Sequence, residues 1–138
     1  MTTAELNPGL QGEAELVVGD EHTALHVGSG RVCVFATPLM IALMEQAAVA
    51  ATEEVLAPGQ QTVGVHLDVR HVAATPVGMR VRATAKLVKV EGRMLTFRVS
   101  AADEKEPIGD GIHQRAVVDA ERFNARLKAK QDQAGPSS

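Results

Sequence analysis

Tryptophan and tyrosine are absent from the chain, and phenylalanine occurs only three times in 138 residues. Stacking platforms for single-stranded nucleic acid are therefore missing. A core must be built from Val, Leu, Ala, Ile and Met. Basic charge is also scarce, with 14 Lys and Arg against 17 Asp and Glu, a net charge of −3. A nucleic-acid-binding domain usually shows the opposite balance. Cys33 is the single cysteine, which excludes an internal disulfide and a cysteine-built metal site. No apolar run approaches the roughly 20 residues needed to span a bilayer. The first residues, "MTTAELNPGLQGEAELVVG", are acidic and lack the apolar segment of a secretion signal. The expectation is a soluble, cytoplasmic protein whose partners include neither nucleic acid nor membrane. The five histidines show no metal-ligand spacing with carboxylates, no phosphate-binding glycine loop follows a strand, and there is no G-x-S-x-G elbow. Neither a metal nor a cofactor is expected.

What is present is an ordinary globular balance, 45% hydrophobic and 22% charged residues. The length suits one domain, expected over residues 1–130, with a disordered tail over 131–138. Residues 1–12 read as a loose lead-in. "AELVVG" (14–19) and "HTALHVG" (22–28) read as short strands. A helix follows from Thr37 to Ala51. Met40, Leu43, Met44, Ala47 and Ala51 keep helical spacing, and Thr37 before Pro38 reads as a cap followed by a first-turn proline. This helix is apolar nearly all round, as a central buried helix is. The period then changes to two. Val63, Val65, Leu67 and Val69 alternate with polar or small residues, as do Met79 to Leu87 and Leu95 to Ala101. A last strand is expected over about 108–118, with a bulge at "GDG" (109–111), before a charged surface helix. Long antiparallel strands after one buried helix predict an α+β fold, a sheet wrapped around that helix.

Three polar residues fall on surfaces that should face the interior. Glu45 sits in the middle of the apolar helix, where an unpartnered carboxylate is costly. It either reaches a subunit edge or pairs with an arginine for stability, or it lines a reactive pocket. His71 continues the odd-numbered apolar face of its strand and points toward the helix if no bulge intervenes. It is either a satisfied core histidine or a site residue, while His66 falls on the opposite face. Thr37 is explained by capping alone, yet its hydroxyl also lies beside the free amides of a helix start, which can hold an oxyanion. Thr37 and Glu45 are about 12 Å apart along a helix and roughly 80° apart around it. A site using both needs other elements or a second subunit. Arg115, in the last strand near His113, is either a solvated arginine or an anion-binding group.

"FATPLMIALMEQAA" (35–48), "GVHLDVRHVAATPVG" (64–78), "VEGR" (90–93) and "IGDGIHQRAVVDAERFNARL" (108–127) together resemble the fluoroacetyl-CoA thioesterase type of hot dog-fold protein. The resemblance covers about two thirds of the chain. It implies an antiparallel sheet around a long helix, a homodimer or dimer of dimers, and active sites at the dimer interface. It implies hydrolysis of a small acyl-CoA thioester, with coenzyme A as part of the substrate. The catalytic group of the similar thioesterases matches Thr37, Glu45 and His71. Phe35, Gly64 and Arg115 match substrate-binding positions. The fluoroacetyl-specific enzyme carries a phenylalanine lid in the segment before the helix. Here "VGSGRVCV" (27–34) contains no phenylalanine, so neither a lid nor fluoroacetyl selectivity is expected. Two further readings stay open, a hydratase or dehydratase acting on enoyl-CoA, and a binding module for acyl-CoA or an apolar ligand.

Overall fold

The computed structural model describes residues 6–133. One five-stranded antiparallel sheet carries the fold, in the order β1 (Gln11–Val17), β3 (Arg80–Glu91), β4 (Met94–Ala102), β5 (Pro107–Asp119), β2 (Gln60–His71). The strands β3, β4 and β5 form a meander. The strand β2 lies outside it, paired with β5, and forms one edge of the sheet. The helix α2 (Thr37–Thr52) packs on the concave face, largely against β1 and β3. Another helix, α3 (Ala120–Gln133), continues from β5 and buries no residue. It runs three residues into the segment expected to be a tail; residues 134–138, like 1–5, lie outside the described ones.

The period-two alternation of β3 and β4 is borne out. Val81, Ala83, Ala85 and Leu87, then Leu95, Phe97, Val99 and Ala101, are buried against α2. Met40, Leu43, Met44, Ala47 and Ala48 meet them from the helix. Small residues let the layers approach closely. A Cβ on Gly12 of β1 would run into the Ala47 carbonyl and the Ala51 amide of α2. The turn between β3 and β4 is tight because Gly92 takes a φ of 61°.

Several expectations change. Residues 22–28 are not a strand. A single 3-10 turn (Asp20–His22) leads into the one-turn helix α1 (Ala24–Val27). Thr23 accepts from the His26 amide at its start, and Gly28 closes it at φ 88°. Second, Ala36, not Thr37, caps α2, and no side chain bonds the cap. Third, α2 is covered on one side only. Ile41 and Ala42 are half-buried and Val49 is exposed, on the flank away from β1 and β3. Fourth, β5 has no bulge at 109–111, where its register with β2 and β4 is continuous. Its glycines answer to space. A Cβ on Gly109 would come within 2.6 Å of the Met40 sulfur, and one on Gly111 would meet the Asp68 carbonyl.

The bulge lies in β2 instead. Gly64 pairs with Arg115 and His66 with Gln114, which leaves Val65 as an extra residue. The inward face therefore changes parity. Thr62 and Gly64 face the helix before the bulge, and Leu67, Val69 and His71 after it. The expected inward placing of Val63 and Val65 fails for this reason. Without the extra residue, Gly64 and His71 would stand on opposite faces.

Candidate active site

Thr37 opens α2, and its position is set by the strand-like residues just before it. Phe35 is buried, bridges to Thr23, and donates its amide to the Thr75 carbonyl at 2.8 Å. Pro38 fixes the first turn and lacks a donor where none is needed. Freed from capping, the Thr37 hydroxyl lies 2.6 Å from Nδ1 of His71, the last residue of β2. Nε2 of His71 is buried and has no hydrogen-bond partner among the described residues. Burial also pulls the His71 pKa below its usual value, favouring the neutral ring. An open cleft of about 350 Å³ adjoins the pair, walled by Phe35, Val34, Ala73 and Ala74, with Ser29 and Gly30 also lining it. A threonine hydroxyl, a neutral histidine and the free amides of a helix start can together hold a carbonyl oxygen and move a proton.

Two turns along α2, Glu45 enters a second polar cluster. Its Oε2 accepts from Nη1 of Arg115 at 3.1 Å and lies 3.8 Å from Nε2 of His113. Arg115 is itself fixed, donating from Nε to the Thr62 hydroxyl at 2.9 Å and from Nη2 to the Thr62 carbonyl at 3.1 Å. The arginine partner that a purely structural acid would need is thus present. Yet the Glu45 side chain keeps 36% exposure, and its Oε1 accepts no hydrogen bond among the described residues. Gly64 makes the room: a Cβ there would stand 2.5 Å from Oε2 of Glu45.

The structure therefore joins Thr37 to His71, and Glu45 to Arg115 and Gly64. No hydrogen bond or ion pair among the described residues links the two groups. Sequence reasoning passed over His113 and Thr62. The signal was available in β5, where Val117, Arg115 and His113 share the inward parity and the last two are polar. No three His, Cys, Asp or Glu residues gather as a metal would require among the described residues.

The profile of the fluoroacetyl-CoA-specific thioesterase (FlK) family matches residues 18–121. The chain belongs to this family. That span contains every candidate residue named above. The fluoroacetyl-CoA thioesterase of Streptantibioticus cattleyicolor is 50% identical over 97 residues, 70% of each chain. The solved structure of the FlK thioesterase is 41% identical, with a TM-score of 0.83 over 90% of this chain and 96% of that one. A threonine-to-serine variant of FlK solved with acetyl-CoA is similar at a TM-score of 0.85, 40% identity, and 90% and 98% coverage. A Thermus thermophilus thioesterase superfamily member reaches 0.86 at 29% identity, covering 93% of this chain and 95% of its own. Such a FlK-family chain has the hot dog fold, and the sheet curled on α2 is its architecture. None of its described helices is long and apolar enough to cross a membrane.

Proposed function

We propose that the protein hydrolyses a small acyl-CoA thioester to free acid and thiol. The observation that carries this reading is the Thr37–His71 pair, a hydroxyl given up by helix capping and bonded to a histidine whose other nitrogen is buried without a partner. Family membership supports it. Thr37 and the first amides of α2 hold the thioester carbonyl oxygen as it gains charge. Glu45 supplies the attacking oxygen directly, or draws a proton from the water that attacks. The carbon–sulfur bond breaks, and the proton that water gives up reaches the departing thiolate through the neutral His71. Water is the second reactant on either route.

Thr37 and Glu45 act on one substrate only if two chains share the site. The edge strand β2 supports this arrangement. It is twelve residues long, and Val65 and Leu67 on it are 51% and 38% exposed. A long apolar edge of this kind invites pairing with a second copy. In the homodimer, Thr37 and His71 of one protomer meet Glu45 of the other, with Phe35, Gly64 and Arg115 shaping the acyl end. Ser29, Gly30, Val32 and Val34 line the cleft, and among its described lining residues the one aromatic side chain is the buried Phe35. Fluoroacetyl and acetyl groups are therefore accepted alike.

The deciding experiment follows thiol release from a panel of short acyl-CoAs. Wild type turns over acetyl- and fluoroacetyl-CoA at similar kcat/KM, and Glu45→Ala loses roughly 100-fold or more. A Glu45→Ala enzyme as active as wild type sinks the assignment. Single-turnover hydrolysis in ¹⁸O-water tests the direct route, since label in Glu45 arises only when water opens an acyl–Glu45 anhydride at the Glu45 carbonyl, whereas water activated by Glu45 delivers its label only to the acid.

A further inference from the structure

We infer that His113, which none of the catalytic steps uses, is the positioning residue that aims Arg115 at Glu45. It rests on the thioesterase reading only for its kinetic consequence. His113 is wholly buried on the inward face of β5. Its Nδ1 lies 2.8 Å from the His66 carbonyl, which can only accept, so Nδ1 carries the hydrogen. A neutral ring then leaves Nε2 as a bare acceptor. Nε2 lies 3.1 Å from Nη1 of Arg115, which can only donate. Nη1 has two hydrogens, and the second goes to Oε2 of Glu45. The His66 carbonyl follows the bulge at Val65, and Thr62 holds the far side of Arg115 through its hydroxyl and its carbonyl. One tautomer of one buried imidazole thus fixes both hydrogens of the nitrogen that holds the carboxylate.

A proton on Nε2 would destroy the arrangement. It would replace an acceptor by a donor facing a guanidinium, with like charges in contact. The groups facing His113 are Arg115 from its own strand, Glu45 from α2 at 3.8 Å, and His66 from β2; Phe97 of β4 offers only its ring, with centroids 6.3 Å apart. Burial is the strongest influence and favours the neutral ring, as does the Arg115 charge, while the hydrogen bond to the His66 carbonyl and the Glu45 charge favour the charged one; Oε2 of Glu45 is already engaged by Arg115. Acid should therefore release Arg115, and with it Glu45, by protonating a residue that never touches substrate.

The experiment has a spectroscopic and a kinetic arm. Long-range ¹H–¹⁵N correlation on the histidine-labelled protein should show His113 as the Nδ1–H tautomer, uncharged at about pH 6, where an ordinary histidine of pKa ~6.5 is mostly protonated. An Nε2–H tautomer, or a charged ring at that pH, overturns the inference. For kinetics, His113→Leu should lower kcat by roughly 10- to 100-fold with KM little changed, through a misplaced Glu45. His113→Gln keeps an acceptor and should keep most of the activity, with the acid limb of the kcat profile moved to lower pH. In an Arg115→Met background, His113→Leu should add no further loss. Equal losses in the Leu and Gln variants, or losses that multiply with Arg115→Met, overturn the inference. Should wild type release no thiol from any acyl-CoA, the proposed function fails, and the tautomer then decides the inference alone.

Discussion

Gly64 shows how a residue can matter through what it lacks. Its side of β2 faces the carboxylate of Glu45, and a methyl group there would crowd Oε2 at 2.5 Å. The carboxylate is the end of a flexible side chain and can move aside, so Gly64→Ala should leave the fold intact. It should reduce kcat/KM by roughly 10- to 100-fold, because Glu45 leaves its productive position. Circular dichroism and thiol release on the same sample check both halves. His71 and His113 share a second property. Burial holds both below the usual histidine pKa of 6.5, so the unfolded chain binds protons that the folded chain refuses. Their contribution to stability is complete above about pH 6.5 and is lost as pH falls through their folded values. The melting temperature should therefore drop between about pH 7 and pH 5.5, and His71→Asn should flatten that slope.

Among the elements, β2 carries the most consequential irregularity. Deleting Val65 should restore an even ladder with β5 and turn either Gly64 or His71 to the outer face. Such a variant should keep its β-rich spectrum and lose thioester hydrolysis by roughly 100-fold, more than any single substitution at Val65. This bulge also marks where sequence reasoning ran out. The alternation of β3 and β4 and the helical spacing of α2 were legible because each buries one continuous face against the other. In β2 the odd-numbered valines gave a clean pattern, yet the pattern held only after Val65. A bulge costs one residue and leaves no composition signal of its own when the extra residue is apolar. The same limit hid α1, whose Thr23 and Gly28 ends outweighed a strand-like run. Within the candidate site, His71 was placed correctly because it follows the bulge. Glu45's arginine partner and His113 were hidden because their meeting depends on a pairing between distant strands.

For the molecule as a whole, the separation of its two polar groups is the decisive feature. One chain offers Thr37 with His71 at the start of α2 and Glu45 with Arg115 two turns later, and no bond joins them. In the proposed dimer on the β2 edge, two sites would each borrow from both chains. Function becomes something two defective chains can restore to one another. Protein carrying His71→Ala and protein carrying Glu45→Ala should each be inert alone. Unfolded together and refolded as a mixture, they should regain about a quarter of the wild-type activity, since half of the random dimers are mixed and each mixed dimer has one of two sites intact. A mixture as dead as its parts would place all three groups within one chain.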